Sequence, residues 1–135
     1  MSIIERARNL RKLIQEYAEK AEDKTLVIAT SNYFEEWKPY SYNVGDIRTS
    51  NGKPYECIMA HDSTLNSAWD ISVRTLWKPY HSKKKEYALP WEQPTGSHDM
   101  YRTGEYMIWT DGNIYKCLFD TNYSPTEYSQ AWEMV

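Results

Sequence analysis

Two stretches of this chain carry the same spelling. Tyr42-x-x-Gly45-Asp46 runs to Asn51-Gly52, then Tyr55-x-Cys57, and closes at Leu76-Trp77. Tyr101-x-x-Gly104-Glu105 runs to Asp111-Gly112, then Tyr115-x-Cys117, and closes at Ala131-Trp132. Gly45 and Gly104 are 59 positions apart and Cys57 and Cys117 are 60 apart, so one residue is inserted before the second turn. A repeat with so little drift implies one small structural unit used twice. With 135 residues in all, each copy is a very small domain.

Asn51-Gly52 is the strongest short-range hairpin signal, because both residues tolerate the positive φ of a type I′ turn. Beyond it Tyr55, Cys57 and Met59 alternate with Pro54, Glu56 and Ile58, a period of two. The second copy repeats this with Asp111-Gly112 as its turn and with Tyr115, Cys117 and Phe119 on one face. Trp37-Lys38-Pro39 leads into the first unit, Pro39 biasing Lys38 toward extended backbone. Trp91-x-x-Pro94 is a looser echo before the second. Between them the segment 78–90 is charged and aperiodic, and reads as a linker or a short crossing strand.

Ahead of the repeats, Ser2-Ile3-Ile4-Glu5 reads as a capping box. Ile3, Ala7, Leu10, Ile14, Tyr17 and Ala21 then recur at spacings of 4, 3, 4, 3 and 4, an apolar seam on a highly charged helix. Ile4, Leu13 and Ala18 widen the stripe. Such a helix spans ~30 Å at ~1.5 Å per residue and needs cover for that stripe. Self-association through Ile3, Ala7, Leu10, Ile14 and Tyr17, with a homotrimeric coiled coil the favoured form, stands against docking on its own chain or on another protein. Past residue 23 the periodicity fades. Leu26-Val27-Ile28 is a short apolar run, and Thr30-Ser31-Asn32 a loop or second cap. The fold class expected is mainly β: an N-terminal amphipathic helix over residues 1–30, then two small antiparallel β modules over 31–82 and 83–135.

Six Trp and twelve Tyr against two Phe is an unusual aromatic set. Rings with a polar handle sit where one end is buried and the other wet, so part of this set is expected to form a recognition surface. A net charge of −3 and a pI near 5.6 leave no electrostatic footprint for nucleic acid. Lys83-Lys84-Lys85 is short and followed at once by Glu86, as in a solvated linker. Nothing approaches the ~20 apolar residues of a membrane span, and the N-terminus is charged rather than signal-like. The two cysteines hold the same place in the two copies, which suggests a repeated core slot rather than a bridge. No Cys or His pair has metal-ligand spacing.

With both copies in view, the chain resembles the small chitin-binding type carbohydrate-binding modules of families 5 and 12. Tyr42, Gly45-Asp46, Asn51-Gly52-Lys53, Tyr55, Cys57 and Trp77 carry the likeness in the first copy. Tyr101, Gly104-Glu105, Asp111-Gly112-Asn113, Tyr115, Cys117 and Trp132 carry it in the second. The whole arrangement, with Glu36-Trp37-Lys38-Pro39, Ala60-His61-x-Ser63, Pro90-Trp91-x-Gln93-Pro94 and Asn122-x-x-Pro125, is similar to small bacteriophage and prophage tail proteins bearing such modules in tandem. The resemblance implies a virion tail part that touches the host cell surface, with other tail proteins as partners. It would be assembled in the bacterial cytoplasm, which fits the absence of a signal peptide. Chitin-binding members carry adjacent exposed aromatics just after the second hairpin strand. Here Met59-Ala60 and Leu118-Phe119 stand there, which moves the expected ligand from crystalline chitin to a bacterial wall glycan or a teichoic-type polymer.

Sugar binding of this kind needs an exposed ring to stack on the C–H face of a pyranose, with polar side chains beside it. Trp69 and Tyr123 are the expected platforms, because each lies in a polar loop at a matching distance before the closing Trp. His61 and Asn122 are the expected hydrogen-bonding partners, with Ser63 beside His61; holding the loop by bonds to backbone is the alternative role for this set. Tyr42 and Tyr101, Tyr55 and Tyr115, and Trp77 and Trp132 read as framework. No nucleophile motif, phosphate-cradling glycine loop or metal-spaced cluster is present, so no catalysis and no cofactor is expected. Glu35-Glu36 are adjacent and point apart, unlike a hydrolytic carboxylate pair.

Overall fold

The computed structural model describes residues 2–20 and 24–135. Helix α1 runs Ile3–Lys20 and opens with the reciprocal cap. The Glu5 amide donates to Ser2 Oγ at 3.1 Å, and the Ser2 amide to Glu5 Oε2 at 3.3 Å. Only one edge of α1 meets the rest of the chain. Ala18 is fully buried, Ile14 and Gln15 are half-buried, and Arg11 Nε donates to Tyr33 O at 2.8 Å. Gln15 Nε2 donates to the same carbonyl. Ile3, Ile4, Leu10, Leu13 and Tyr17 stay exposed, so most of the predicted seam is uncovered. Its last member, Ala21, lies outside the described residues.

The short apolar run 26–28 belongs to a second helix, α2, Thr25–Ala29. Five residues are too few for a helical period to show, and burial of Val27 and Ile28 rather than propensity holds them. With Ala18, Phe34, Ile47 and Tyr80 they form one core cluster.

The first module has strands β1 (Ser41–Tyr42), β2 (Ile47–Ser50), β3 (Lys53–Cys57), β4 (His61–Asp62) and β5 (Trp77–Pro79). The β1 and β4 strands pair, and the main sheet has the order β2-β3-β5. One face of that sheet, through Ile47, meets the helices, and the other, through Tyr55 and Cys57, meets Tyr42, Leu76 and Trp77. The second module has β6 (Leu89–Pro90), β7 (Tyr106–Ile108), β8 (Ile114–Cys117) and β9 (Trp132–Met134), in that order in one sheet. Its core is Tyr101, Met107, Cys117, Ala131 and Trp132.

The repeat is legible bond by bond. Gly45 N and Gly104 N donate to Cys57 O and Cys117 O at 2.9 and 2.8 Å, from backbones at φ 96° and 91°. Cys57 N and Cys117 N return to Asp46 O and Glu105 O at 2.8 and 2.7 Å. Both thiols are free, fully buried, and donate to the carbonyl two residues on, Met59 at 3.2 Å and Phe119 at 2.9 Å.

Several expectations are corrected. Helix and strand contents are about equal, because the strands are two to five residues long, so the chain is mixed α/β rather than mainly β. The modules are not purely antiparallel. Each begins with a parallel lead-in: Glu36 beside Thr49 in the first, β6 beside β7 in the second. Of the two readings of segment 78–90, linker or short crossing strand, the structure follows the strand one at both ends. The segment supplies the end of β5, the buried Tyr80 and Ser82, and β6. The two turns also differ. Asn51 and Gly52 both take positive φ, as a type I′ turn requires. In the second copy Gly112 N bonds Trp109 O and only Gly112 has positive φ, a three-residue loop with a glycine bulge that absorbs the inserted residue. Met59 and Phe119 fall beyond their strands and are exposed, so they do not continue the Tyr-Cys face.

Candidate functional site

In each module the stretch between the central strand and the closing Trp carries a single helical turn with a side-chain cap. In the first, Asp70 Oδ1 accepts the Ser72 amide at 2.9 Å and Asp70 O accepts Val73 N at 3.1 Å. In the second, the Ser124 amide donates to Glu127 Oε1 at 3.2 Å and Ser124 Oγ accepts Glu127 N at 3.3 Å. These turns lead straight into Trp77 and Trp132. Trp69 and Tyr123 each sit immediately before the capping residue, and both rings reach solvent. Trp69 is 38 % exposed and Tyr123 58 %. The Tyr123 carbonyl is pinned from below by Trp132 Nε1 at 2.9 Å.

His61 and Asn122 are not equivalent. Tyr42 pairs with His61 and Tyr101 pairs with Thr121, so Thr121 is the counterpart of His61 and Asn122 lies one position further. The His61 ring turns inward, with centroids 5.7 Å from Tyr42 and 5.8 Å from Trp77. Its Nδ1 lies 2.7 Å from Met59 O and therefore bears the proton, leaving Nε2 as a buried acceptor with no partner among the described residues. His61 thus ties the end of the hairpin to the core rather than joining Trp69. Ser63 is buried and clamps both the amide and the carbonyl of Tyr40 at 2.9 Å. Asn122 does stand beside the platform. Gln93 Nε2 bonds its backbone carbonyl at 3.0 Å, while its own Oδ1 is buried and unpartnered among the described residues.

The framework residues take core places: Tyr42, Tyr55, Tyr101, Trp77 and Trp132 are all buried. Tyr115 instead is half-buried and its hydroxyl donates to Asp111 Oδ2 at 2.7 Å, holding the hairpin loop. The hydroxyls of Tyr42 and Tyr101 serve the lead-in segments, Tyr42 donating to Lys38 O at 2.7 Å and Tyr101 accepting Glu92 N at 3.2 Å.

Two features escape a reading of the sequence alone. Val44, Met59 and Leu65 of the first module and Phe119 and Tyr128 of the second are exposed apolar side chains outside the predicted set. A cleft of about 380 Å³ also opens in the first module, lined by Glu36, Trp37, Asn51, Asp70 and Ser72 among others. Trp37 was legible as a repeat of Trp91, but the space beside it depends on how two distant loops meet. Among the described residues no group of three His, Cys, Asp or Glu could hold a metal ion, and no helix is long and apolar enough to cross a membrane. Compared with known protein families and with curated proteins, the chain matches none.

Proposed function

We propose that this chain is a non-catalytic, tail-associated protein of a phage or prophage, binding a host cell-surface glycan through exposed rings on two small β modules. The observation that carries the reading is the paired placement of Trp69 and Tyr123. Two loops of different sequence each present an exposed ring immediately before a turn capped by a side chain. Stacking on a sugar needs such a rigid, solvent-facing platform. On this reading residues 31–82 and 83–135 are the two binding units. The helix within residues 1–30 assembles the chain with copies of itself, as a trimer in the favoured form, or attaches it to other tail proteins. Retention on purified bacterial wall fractions tests it. Wild type should be retained, Trp69→Ala and Tyr123→Ala should each be retained about tenfold less, and the double variant should wash through, as expected for a lost ring contact of ~1–2 kcal/mol. Equal retention of all four proteins rejects the ring platforms.

A second reading has its own support. Val44, Met59 and Leu65 are exposed on the first module and are flexible or branched rather than flat. Such side chains suit a protein partner better than a pyranose. In that case the chain is a structural tail or baseplate adaptor, and Met59→Asp should abolish incorporation into particles while wall retention is unchanged.

A further inference from the structure

We infer that the first module holds a subsite for one neutral or amino-bearing pyranose in the cleft beside Trp37, and that the second module's own Trp109 closes the equivalent space. This rests on the glycan-binding reading and narrows it to one cleft and one ligand charge. The repeat itself supplies the comparison. Trp37 and Trp91 hold the same station, their amides donating to Thr49 O and Ile108 O at 2.8 Å each. The next residues along those opposing strands are Ser50 and Trp109. In the second module the Trp109 indole packs edge-on against Trp91, with centroids 5.5 Å apart and planes at 82°. In the first, a serine leaves that volume open as the cleft of about 380 Å³, within the ~300–1,000 Å³ of small-molecule sites. An indole filling one copy marks the body that fits the other: a ring-sized group with an apolar face.

The rim sets the ligand's chemistry. Glu36 and Asp70 bring carboxylates and Asn51 an amide, and no basic side chain lines the cleft. The Asp70 carboxylate already holds the Ser72 amide, which fixes its position. Sugar hydroxyls and amide N–H groups can donate to this acceptor-rich rim, whereas a phosphodiester chain would meet two negative charges. A teichoic-type polymer is therefore the wrong ligand for this cleft.

The full ¹⁵N-labelled chain, titrated separately with a β-1,4-linked N-acetylglucosamine tetramer and with polyglycerol phosphate, tests this through the Trp37 and Trp69 indole N–H signals. The tetramer should shift the Trp37 signal with a one-site curve, and polyglycerol phosphate should leave it in place. Ser50→Trp should erase the Trp37 response and weaken tetramer binding at least about tenfold while the other amide signals stay dispersed. Should Ser50→Trp fail to fold, Glu36→Gln and Asn51→Ala at the rim should each weaken tetramer binding several-fold. A silent Trp37 beside a shifting Trp69 overturns the cleft and leaves the ring platforms standing. A silent Trp37 in a protein that still binds wall fractions does the same. A Trp37 response to polyglycerol phosphate overturns the charge assignment. If no indole responds and wall fractions retain nothing, the glycan reading falls with the cleft.

Discussion

Glu92 is one of the residues on which the two modules meet. Its Oε1 accepts from Tyr55 Oη at 2.6 Å and from Arg74 Nη2 at 2.9 Å, with Lys53 Nζ at 3.8 Å. The Arg74 guanidinium also lies over the Tyr55 ring, 5.1 Å from its centroid. The side chain is 16 % exposed, so these bonds form in a medium well short of bulk water. Glu92→Ala strands an arginine and a tyrosine hydroxyl at that junction and should cost about 2 kcal/mol of unfolding free energy, read from a urea midpoint at unchanged slope. The cysteines make a second case. Burial pushes both thiols up, Cys117 to about 12 from an ordinary 9.0. A raised acid pKa in the folded state means that stability is complete below the unfolded pKa. It is lost as pH climbs from about 9 toward 12, because the unfolded chain loses its proton first. Urea midpoints of wild type should therefore fall faster above pH 9 than those of Cys117→Ala, and neither native thiol should react with a disulfide reagent at pH 8.

At the scale of elements, what the sequence disclosed depended on whether the signal was local. The capping box at Ser2 and Glu5, the type I′ turn at Asn51-Gly52 and the repeated Cys slot each need only a few residues and formed as read. Helix α2 was not legible, because its five residues are held by Val27 and Ile28 meeting Ala18, Phe34 and Tyr80 across the chain. Asp111-Gly112 looked like Asn51-Gly52, yet the inserted residue chose a different loop, with Thr110 as its first member. The residues before the turn glycines differ accordingly, whereas the glycines themselves do not. Gly52→Ala and Gly112→Ala place a side chain at φ 76° and 82°, with open space around it, so each should cost about 1 kcal/mol through backbone strain alone. Replacing Asn51 by Ala should add a similar loss, since Asn51 sits at φ 53°, whereas Asp111→Ala should remove only its bonds to Asn113 and Tyr115. The site shows the same division. That Trp69 and Tyr123 are loop rings could be read by counting back from the closing Trp, while the inward turn of the His61 ring against Tyr42 and Trp77 has no sequence signal.

The whole molecule turns on the segment 78–90, read as a linker or a short crossing strand, because that segment ties the modules to each other and to the helices. Lys83 N donates to Thr25 Oγ1 at 2.8 Å, Tyr106 N donates to Ser82 O at 2.7 Å, and His81 Nδ1 lies 3.1 Å from Glu105 Oε1. Tyr80 from the same stretch closes the core that Ala18, Val27 and Ile28 begin. Aperiodic charge concealed this, since each contact is made by one residue facing a different neighbour. Apart from the edge at Ile14, Gln15 and Ala18, α1 is uncovered, with Ile3, Leu10 and Tyr17 seven residues apart and all more than half exposed. Truncation to Asn32 would remove α2 from that first core along with the seam, so it cannot separate assembly from folding. Leu10→Glu can, because Leu10 touches no part of the described core. Sedimentation equilibrium should show wild type as an oligomer, a trimer in the favoured form, and Leu10→Glu as a monomer of unchanged urea midpoint. A monomeric wild type would instead leave the face to another protein. Glu92→Ala should leave the oligomer mass unchanged, because its junction lies between modules and away from α1.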